Sequence, residues 1–182
     1  HHLRNGDYVL NMVMDAVADL GIKDLNVNAS SVFDTHEPLI GHIKNHVVTG
    51  LEADYIGGVV GRAISHGVLD KPVTFRSPID VAFVAAPTSD TMGNCSGKYG
   101  KSACGSLGYA FADAMYAKKV IVITDNLVPY PLADFSISET YVDYVVQVES
   151  IGNPAGIVSG TTKITRDPVG LVMAQYAAKV IE

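Results

Sequence analysis

The sequence predicts an α/β protein with a mostly parallel sheet flanked by helices. Three observations carry that expectation. Helical and strand-like patterns alternate along the chain, as covered parallel sheets require. Val120 to Thr124 is a short, β-branched apolar run of the kind buried on both faces of such a sheet. Val81-Ala-Phe-Val-Ala-Ala-Pro87 is a second such run, and a glycine-rich polar stretch follows it at the carboxyl end, where open α/β sheets bind ligands.

The elements follow in order. Val9, Val13, Ala16, Val17 and Leu20 recur at helical spacing, so Asp7 to Leu20 is expected to be a helix stopped by Gly21. A strand over Asp24 to Asn28, a short helix over Pro38 to Asn45 and a strand over Val47 to Ala53 come next. A Gly57-Gly58 turn leads into a helix over Gly58 to Ser65. Strands are expected over Val73 to Arg76 and Ile79 to Ala86. Leu107 to Lys118 is amphipathic and alanine-rich. Tyr141 to Glu149 alternates as a strand does, and Pro168 to Ile181 reads as a helix with proline in its first turn. One junction conflicts with this scheme: only Ser77-Pro78 separates two predicted strands, whereas a parallel connection needs about ten residues or more. Either the two form an antiparallel hairpin or a segment is absent between 77 and 78, and the latter is the expectation here.

Composition narrows the function classes. A chain of 182 residues with 48% hydrophobic residues can bury a single α/β core. The net charge of −6 opposes a nucleic-acid partner, which needs a basic face. No apolar run reaches the roughly 18 residues of a membrane span. Cys95 and Cys104 stand alone, nine positions apart, and fit free thiols of a cytoplasmic protein better than a zinc site or a disulfide framework. The first residues lack a secretory pattern, and both ends read as cut.

Several motifs are set aside. Gly97-Lys-Tyr-Gly-Lys-Ser102 lacks the first glycine of a P-loop, since position 95 is Cys95. Gly57-Gly58-x-x-Gly61 is not a dinucleotide fingerprint, though it is either a helix N-terminus that receives an anion or a site of close helix packing. His42 and His46 lie four apart without a glutamate between them, so no metal site is expected. Asp90-Thr-Met-Gly-Asn-Cys-Ser-Gly97 remains. It reads either as a plain hairpin in which Gly93 and Gly97 supply positive φ, or as a loop whose backbone N–H groups approach a ligand.

The Asp-x-x-Gly-Asn pattern of that loop resembles coenzyme A transferases. Arg4-Asn-Gly-Asp7, Asn26-Val-Asn-Ala-Ser-Ser31, His36-Glu-Pro-Leu-Ile40, Val47-Val-Thr-Gly50, Cys104-Gly-Ser-Leu-Gly108, Leu127-Val-Pro-Tyr-Pro131 and Ile164-Thr-Arg-Asp-Pro168 extend the likeness nearly end to end. Together they resemble the first half of the citrate lyase α subunit, a longer chain of two related halves. The resemblance implies the fold that sugar-phosphate isomerases share with coenzyme A transferases. It also implies an acyl transferase that exchanges acetate for citrate on an acyl carrier protein or coenzyme A thioester.

Such a site needs oxyanion donors and cations for citrate's carboxylates. His1 and His2 read either as remnants of a purification tag or, by the resemblance, as part of an active-site loop with Arg4 and Gly6, and the resemblance implies that Gly93 and Asn94 shape the thioester pocket. Ser30, Ser31, Gly57 and Gly58 are candidate backbone or hydroxyl donors. Arg4 and Arg62 are each either a carboxylate-binding guanidinium or a partner in a surface ion pair, and Arg76 is a further candidate beside the conflicted junction. No nucleophile is assigned, because the resemblance implies transfer without a covalent enzyme intermediate. No cofactor bound covalently to this chain is expected. The implied partners are citrate, the acyl carrier and lyase subunits, and further copies in a homo-oligomer. Two other classes stay open: a sugar-phosphate isomerase with its phosphate at Ala29-Ser30-Ser31, and a non-catalytic small-molecule-binding domain of the same fold.

Overall fold

A computed structural model describes residues 3–69, 78–157 and 166–181. The predicted strand over Val73 to Arg76, the junction at Ser77, and the candidates His1, His2 and Arg76 lie outside the described residues.

Helix α1 spans Val9–Asp19 and buries Val9, Val13 and Met14, the face its spacing predicts. Gly21 follows with φ +74, a conformation that glycine adopts without a Cβ clash. Strand β1 (Leu25–Asn28) lies parallel to β3 (Val48–Glu52), with α2 (Leu39–Lys44) in the crossover between them. The short strands β2 (Ser31–Val32) and β4 (Tyr55–Ile56) pair beyond their carboxyl ends. Helix α3 runs Gly58–Ser65, as its pattern indicates, and buries Val60 completely.

The second half of the chain builds two further sheets of three strands each. Strand β5 (Val81–Ala86) is followed by β6 (Thr88–Asp90) and β7 (Cys95–Ser96), then α4 (Tyr109–Tyr116), β8 (Lys119–Thr124) and β9 (Leu127–Val128). Strand β10 (Tyr144–Gln147), α5 (Pro154–Ile157) and α6 (Pro168–Ile181) complete it. The three long strands are all parallel in the order β10-β8-β5, with Val84 opposite Val122 and Ala86 opposite Thr124. Ala110 and Ala114, four apart on α4, pack on Ala82, Val84, Val120 and Val122. Small residues on the helix let it lie close to the sheet. Each fully buried valine here contributes about 1.5–3 kcal/mol. A second cluster joins α1, β1, β3 and α3, and reaches the long sheet through Ala85 and Ile123.

Two differences have local causes. The helix expected over Leu107 to Lys118 is shorter at both ends, because Gly108 turns at φ +38 and Ala117 is already extended. The strand expected from Tyr141 starts at Tyr144, because Ser138 caps a 3-10 turn over Glu139–Tyr141 by accepting from the Thr140 N–H. Asp143 then anchors the strand start by accepting from the Val120 N–H at 2.9 Å and the Lys119 ammonium at 2.7 Å.

Candidate functional site

The Asp90 loop sits at the carboxyl end of β5. Strands β6 and β7 pair antiparallel there, Thr88 with Ser96 and Ser89 with Cys95, so the loop is a hairpin, while β9 pairs parallel on its other side. The Asp90 carboxylate is buried and organises the turn. Its Oδ1 accepts the N–H groups of Met92, Gly93 and Asn94 at 2.9, 2.9 and 3.1 Å. Its Oδ2 accepts the Asn94 amide and the Leu132 N–H, each at 2.9 Å. Burial works against the charged carboxylate, but the bonds from Leu132, Asn94, Met92 and Gly93 outweigh it and hold Asp90 below its ordinary value.

Asn94 spends its whole amide inside the protein. Its Nδ2 also donates to Glu139 Oε2 at 2.6 Å, and its Oδ1 accepts the Glu139 N–H at 2.9 Å. With 4% exposure it holds the loop against the Glu139 turn rather than offering its amide outward. Gly93 has φ +109, and a Cβ there would meet Val142 at 2.7 Å. Gly97 differs from its expectation: it does not adopt positive φ, and glycine is needed because a Cβ would overlap the Gly105 carbonyl. That contact lets Gly97 O accept from Cys104 and Gly105 N–H at 2.9 and 3.0 Å, closing the loop from 97 to 105.

The N-terminal candidates form a second cluster. Asp7 accepts the Val9 N–H at 3.2 Å through Oδ1, and the Leu10 N–H at 3.3 Å through Oδ2, capping α1. The same Oδ2 lies 3.0 Å from His36 Nε2, and both side chains are almost fully buried. His36 Nδ1 accepts the Phe33 N–H at 3.0 Å. An accepting Nδ1 leaves the ring proton on Nε2, so His36 donates to Asp7 as a neutral imidazole. Gly6 packs where a Cβ would meet the Asn153 carbonyl at 2.5 Å, which presses the Arg4 loop onto α5. Arg4 itself has φ +55, a left-handed conformation uncommon for a side chain of its size.

Ser30 and Ser31 lie just beyond β1, where Ser30 O accepts the Asp54 N–H at 3.2 Å and Ser31 pairs with Tyr55. Gly58 has φ +60, and the Val59 N–H donates to Asp34 Oδ1 at 2.8 Å. The anion at this helix N-terminus is therefore the chain's own Asp34. Arg62 lies in the last turn of α3 and is exposed. Helix α3 and the Arg4 turn both pack on the 3-10 turn Asp34–His36, which draws Gly58 and Arg4 to one region. Tyr8 N–H donates to Ile151 O at 3.1 Å and Asn153 N–H to Gly6 O at 2.7 Å, tying that region to the segment after β10.

Sequence reasoning missed two groups. Glu52, at the end of β3, is 2% exposed and accepts from Asn26 Nδ2 at 2.6 Å and Asn28 Nδ2 at 3.4 Å. Asn26 and Asn28 alternate on one face of β1, a signal that became legible only once the register set Asn28 opposite Glu52. Asp125 follows the last residue of the central strand β8. Its Oδ2 accepts from Ser102 Oγ at 2.8 Å and the Ile151 N–H at 3.1 Å, and Lys101 Nζ lies 3.9 Å away. The P-loop lookalike is thus taken up internally: Lys98 pairs with Asp134 at 3.0 Å, Lys101 with Glu149 O at 2.5 Å, and Ser102 with Asp125.

The thiols are withdrawn from solvent, Cys95 buried and Cys104 half-buried. Burial pushes the Cys95 thiol up to about 12, aided by the Asp90 charge, and the Cys104 thiol up to about 11. His42 Nε2 pairs with Asp15 at 2.9 Å. Among the described residues no cluster of three metal-ligating side chains occurs, and no helix is long and apolar enough to cross a membrane.

Against known proteins, the family described as citrate lyase, alpha subunit matches residues 1–182. The chain is 43% identical to a citrate lyase alpha chain from Haemophilus influenzae over its whole length and 39% of that protein. It is 42% identical to the corresponding Klebsiella pneumoniae chain, covering 38% of it. It therefore spans about two fifths of the length of these curated relatives. A crystal structure from Streptococcus mutans, described as the alpha subunit of citrate lyase in complex with citrate, superposes with a TM-score of 0.86 at 50% identity. That match covers all of this chain and 38% of the other. An Escherichia coli O157:H7 acyl-CoA transferase in a thioester complex with CoA shares the fold alone, at 13% identity and a TM-score of 0.52 over 86% of this chain and 44% of that one.

Proposed function

Because this chain belongs to the citrate lyase alpha-subunit family, we propose that it is the N-terminal half of a transferase that exchanges acetate for citrate on a thioester. The acyl group is carried by an acyl carrier protein or coenzyme A. Citrate's carboxylate oxygen attacks the acetyl thioester carbonyl, expelling the carrier thiolate and forming an acetyl–citryl anhydride. The thiolate then attacks the citryl carbonyl, acetate leaves, and citryl thioester is the product. No group is oxidised or reduced. Each attack builds an oxyanion, which oriented N–H donors stabilise.

The observation that carries this reading is the hairpin at the carboxyl end of β5, where Asp90 and Asn94 set the turn that Gly93 permits. Asn94 serves there as a positioning residue. Arg4, on its left-handed turn, and Arg62 supply positive charge for citrate within a chain of net charge −6, and Gly57, Gly58, Ser30 and Ser31 frame that side. The neutral imidazole of His36 fixes the Arg4 turn through Asp7. The carrier and lyase subunits are the partners, in a cytoplasmic assembly containing more than one copy of this subunit. The carrier's thioester-bearing arm is the only prosthetic group the reaction uses.

The test is exchange by the full-length subunit. Given acetyl carrier thioester and citrate, it releases acetate and forms citryl thioester in equal amounts. Arg4→Gln and Arg62→Gln each lower kcat/KM by the equivalent of about 1–3 kcal/mol. Failure of wild-type enzyme to form citryl thioester overturns the reading, and unchanged kinetics in both variants remove the arginines from it.

A further inference from the structure

Asp125 stands at the carboxyl end of the central strand, yet the acyl-exchange reading gives it no task. Its side chain is fully buried, and among the described residues only one of its carboxylate oxygens finds a hydrogen-bond partner. Oδ2 accepts from Ser102 and Ile151, whereas Oδ1 has no hydrogen-bond partner among the described residues. Leaving a buried carboxyl oxygen unpaired is unfavourable, because it loses water without gaining a donor. A structural staple needs no such oxygen, since an asparagine in the same place would make both observed bonds through its amide oxygen.

Lys101 defines what fits there. Its ammonium lies 3.9 Å from Oδ2, and its side chain is 53% exposed, so a half-exposed cation stands beside the buried carboxyl. Lys101 donates to Glu149 O, which leaves further N–H donors of its three. An acceptor oxygen beside a cation matches a hydroxyl next to a carboxylate. A neutral amide donor, such as one on a carrier's arm, would leave the ammonium unused. The Ser102 and Ile151 bonds hold the acceptor in place between the 97–105 loop and the segment after β10.

We propose that Asp125 and Lys101 form a hydroxy-carboxylate subsite, in which Asp125 Oδ1 accepts the ligand's hydroxyl proton in a hydrogen bond and Lys101 binds the adjacent carboxylate. This rests on the acyl-exchange reading and assigns the hydroxyl of that substrate to a residue. It makes Asp125 the group that distinguishes citrate from its deoxy analogue.

The experiment is calorimetric titration of the full-length subunit with citrate and with propane-1,2,3-tricarboxylate, which lacks only the hydroxyl. Wild type is expected to prefer citrate by about tenfold or more. Asp125→Asn, which keeps the Ser102 and Ile151 bonds and therefore the melting temperature, removes that preference by weakening citrate alone. Lys101→Met, a surface change that does not depend on refolding around Asp125, weakens both ligands by a similar factor. An Asp125→Asn protein that retains the wild-type preference, or a Lys101→Met protein that binds both ligands normally, overturns the subsite while citrate binding to wild type leaves the acyl-exchange reading standing. No citrate binding by wild type overturns both.

Discussion

His36 Nε2 donates to Asp7 Oδ2 at 3.0 Å, and the Phe33 N–H occupies the other ring nitrogen at 3.0 Å. The arrangement determines the tautomer and joins the start of α1 to the turn after β2. Arg4 lies three residues before Asp7 in a left-handed turn, so the pair also fixes where that guanidinium starts.

His36→Phe would leave the Asp7 carboxylate buried without its side-chain donor, while the Val9 and Leu10 bonds remain. Loss of about 2–4 kcal/mol in urea unfolding is expected, with His36→Gln recovering part of it through an amide donor. Equal stability of wild type and His36→Phe would show that the pair does not hold the turn.

Gly93→Ala meets two penalties at once, the φ of +109 and the 2.7 Å approach to Val142. The expected cost is about 1–3 kcal/mol or more in chemical denaturation. Gly97→Ala is equally disruptive for a different reason, overlap with the Gly105 carbonyl. Gly21→Ala, with open space around it, costs only the strain of its φ and serves as the comparison.

Asp90 makes stability depend on acid. Its folded value is depressed, so its contribution is complete above the ordinary aspartate value of 3.8 and is lost as pH falls below it through the folded value. Asp90→Asn should cost about 3 kcal/mol at neutral pH, with the difference from wild type shrinking in the acid range. A difference independent of pH from neutrality into that range would mean that the carboxylate's charge does not stabilise the hairpin.

The thiols predict the opposite edge. Their folded values are raised, so their contribution is complete below the ordinary thiol value of 9.0 and is lost as pH rises toward about 11 and 12. Alkylation of the native protein should stay slow at neutral pH, and stability should decline above pH 9. Rapid labelling of Cys104 at pH 7 would contradict the burial that raises it.

Legibility in the sequence followed the range of the interactions. Helices α3 and α6 begin and end where pattern and Gly-Gly or proline signals place them, because helix limits are set within a few residues. Strands β6, β7 and β9 have two or three residues each, too few to show a period, and exist only through pairing across the chain. Within the candidate site, Gly93 was legible from a local turn motif. The internal use of Asn94 was not, since Glu139 lies 45 residues away. Glu52 and Asp125 were equally hidden, because what marks each is a partner or an unpaired oxygen that only the fold brings into view.

The account turns on direct attack by citrate's carboxylate, and a single-turnover oxygen-labelling measurement tests it most directly. Full-length enzyme in excess is mixed with acetyl carrier thioester and citrate whose carboxylates carry oxygen-18, and the released acetate is weighed by mass spectrometry. Through the anhydride, the bridging oxygen leaves with acetate, so the first turnover should yield acetate carrying one labelled oxygen together with citryl thioester. Unlabelled acetate in that first turnover, with label appearing on an enzyme carboxylate, would contradict the account and require an acyl-enzyme intermediate.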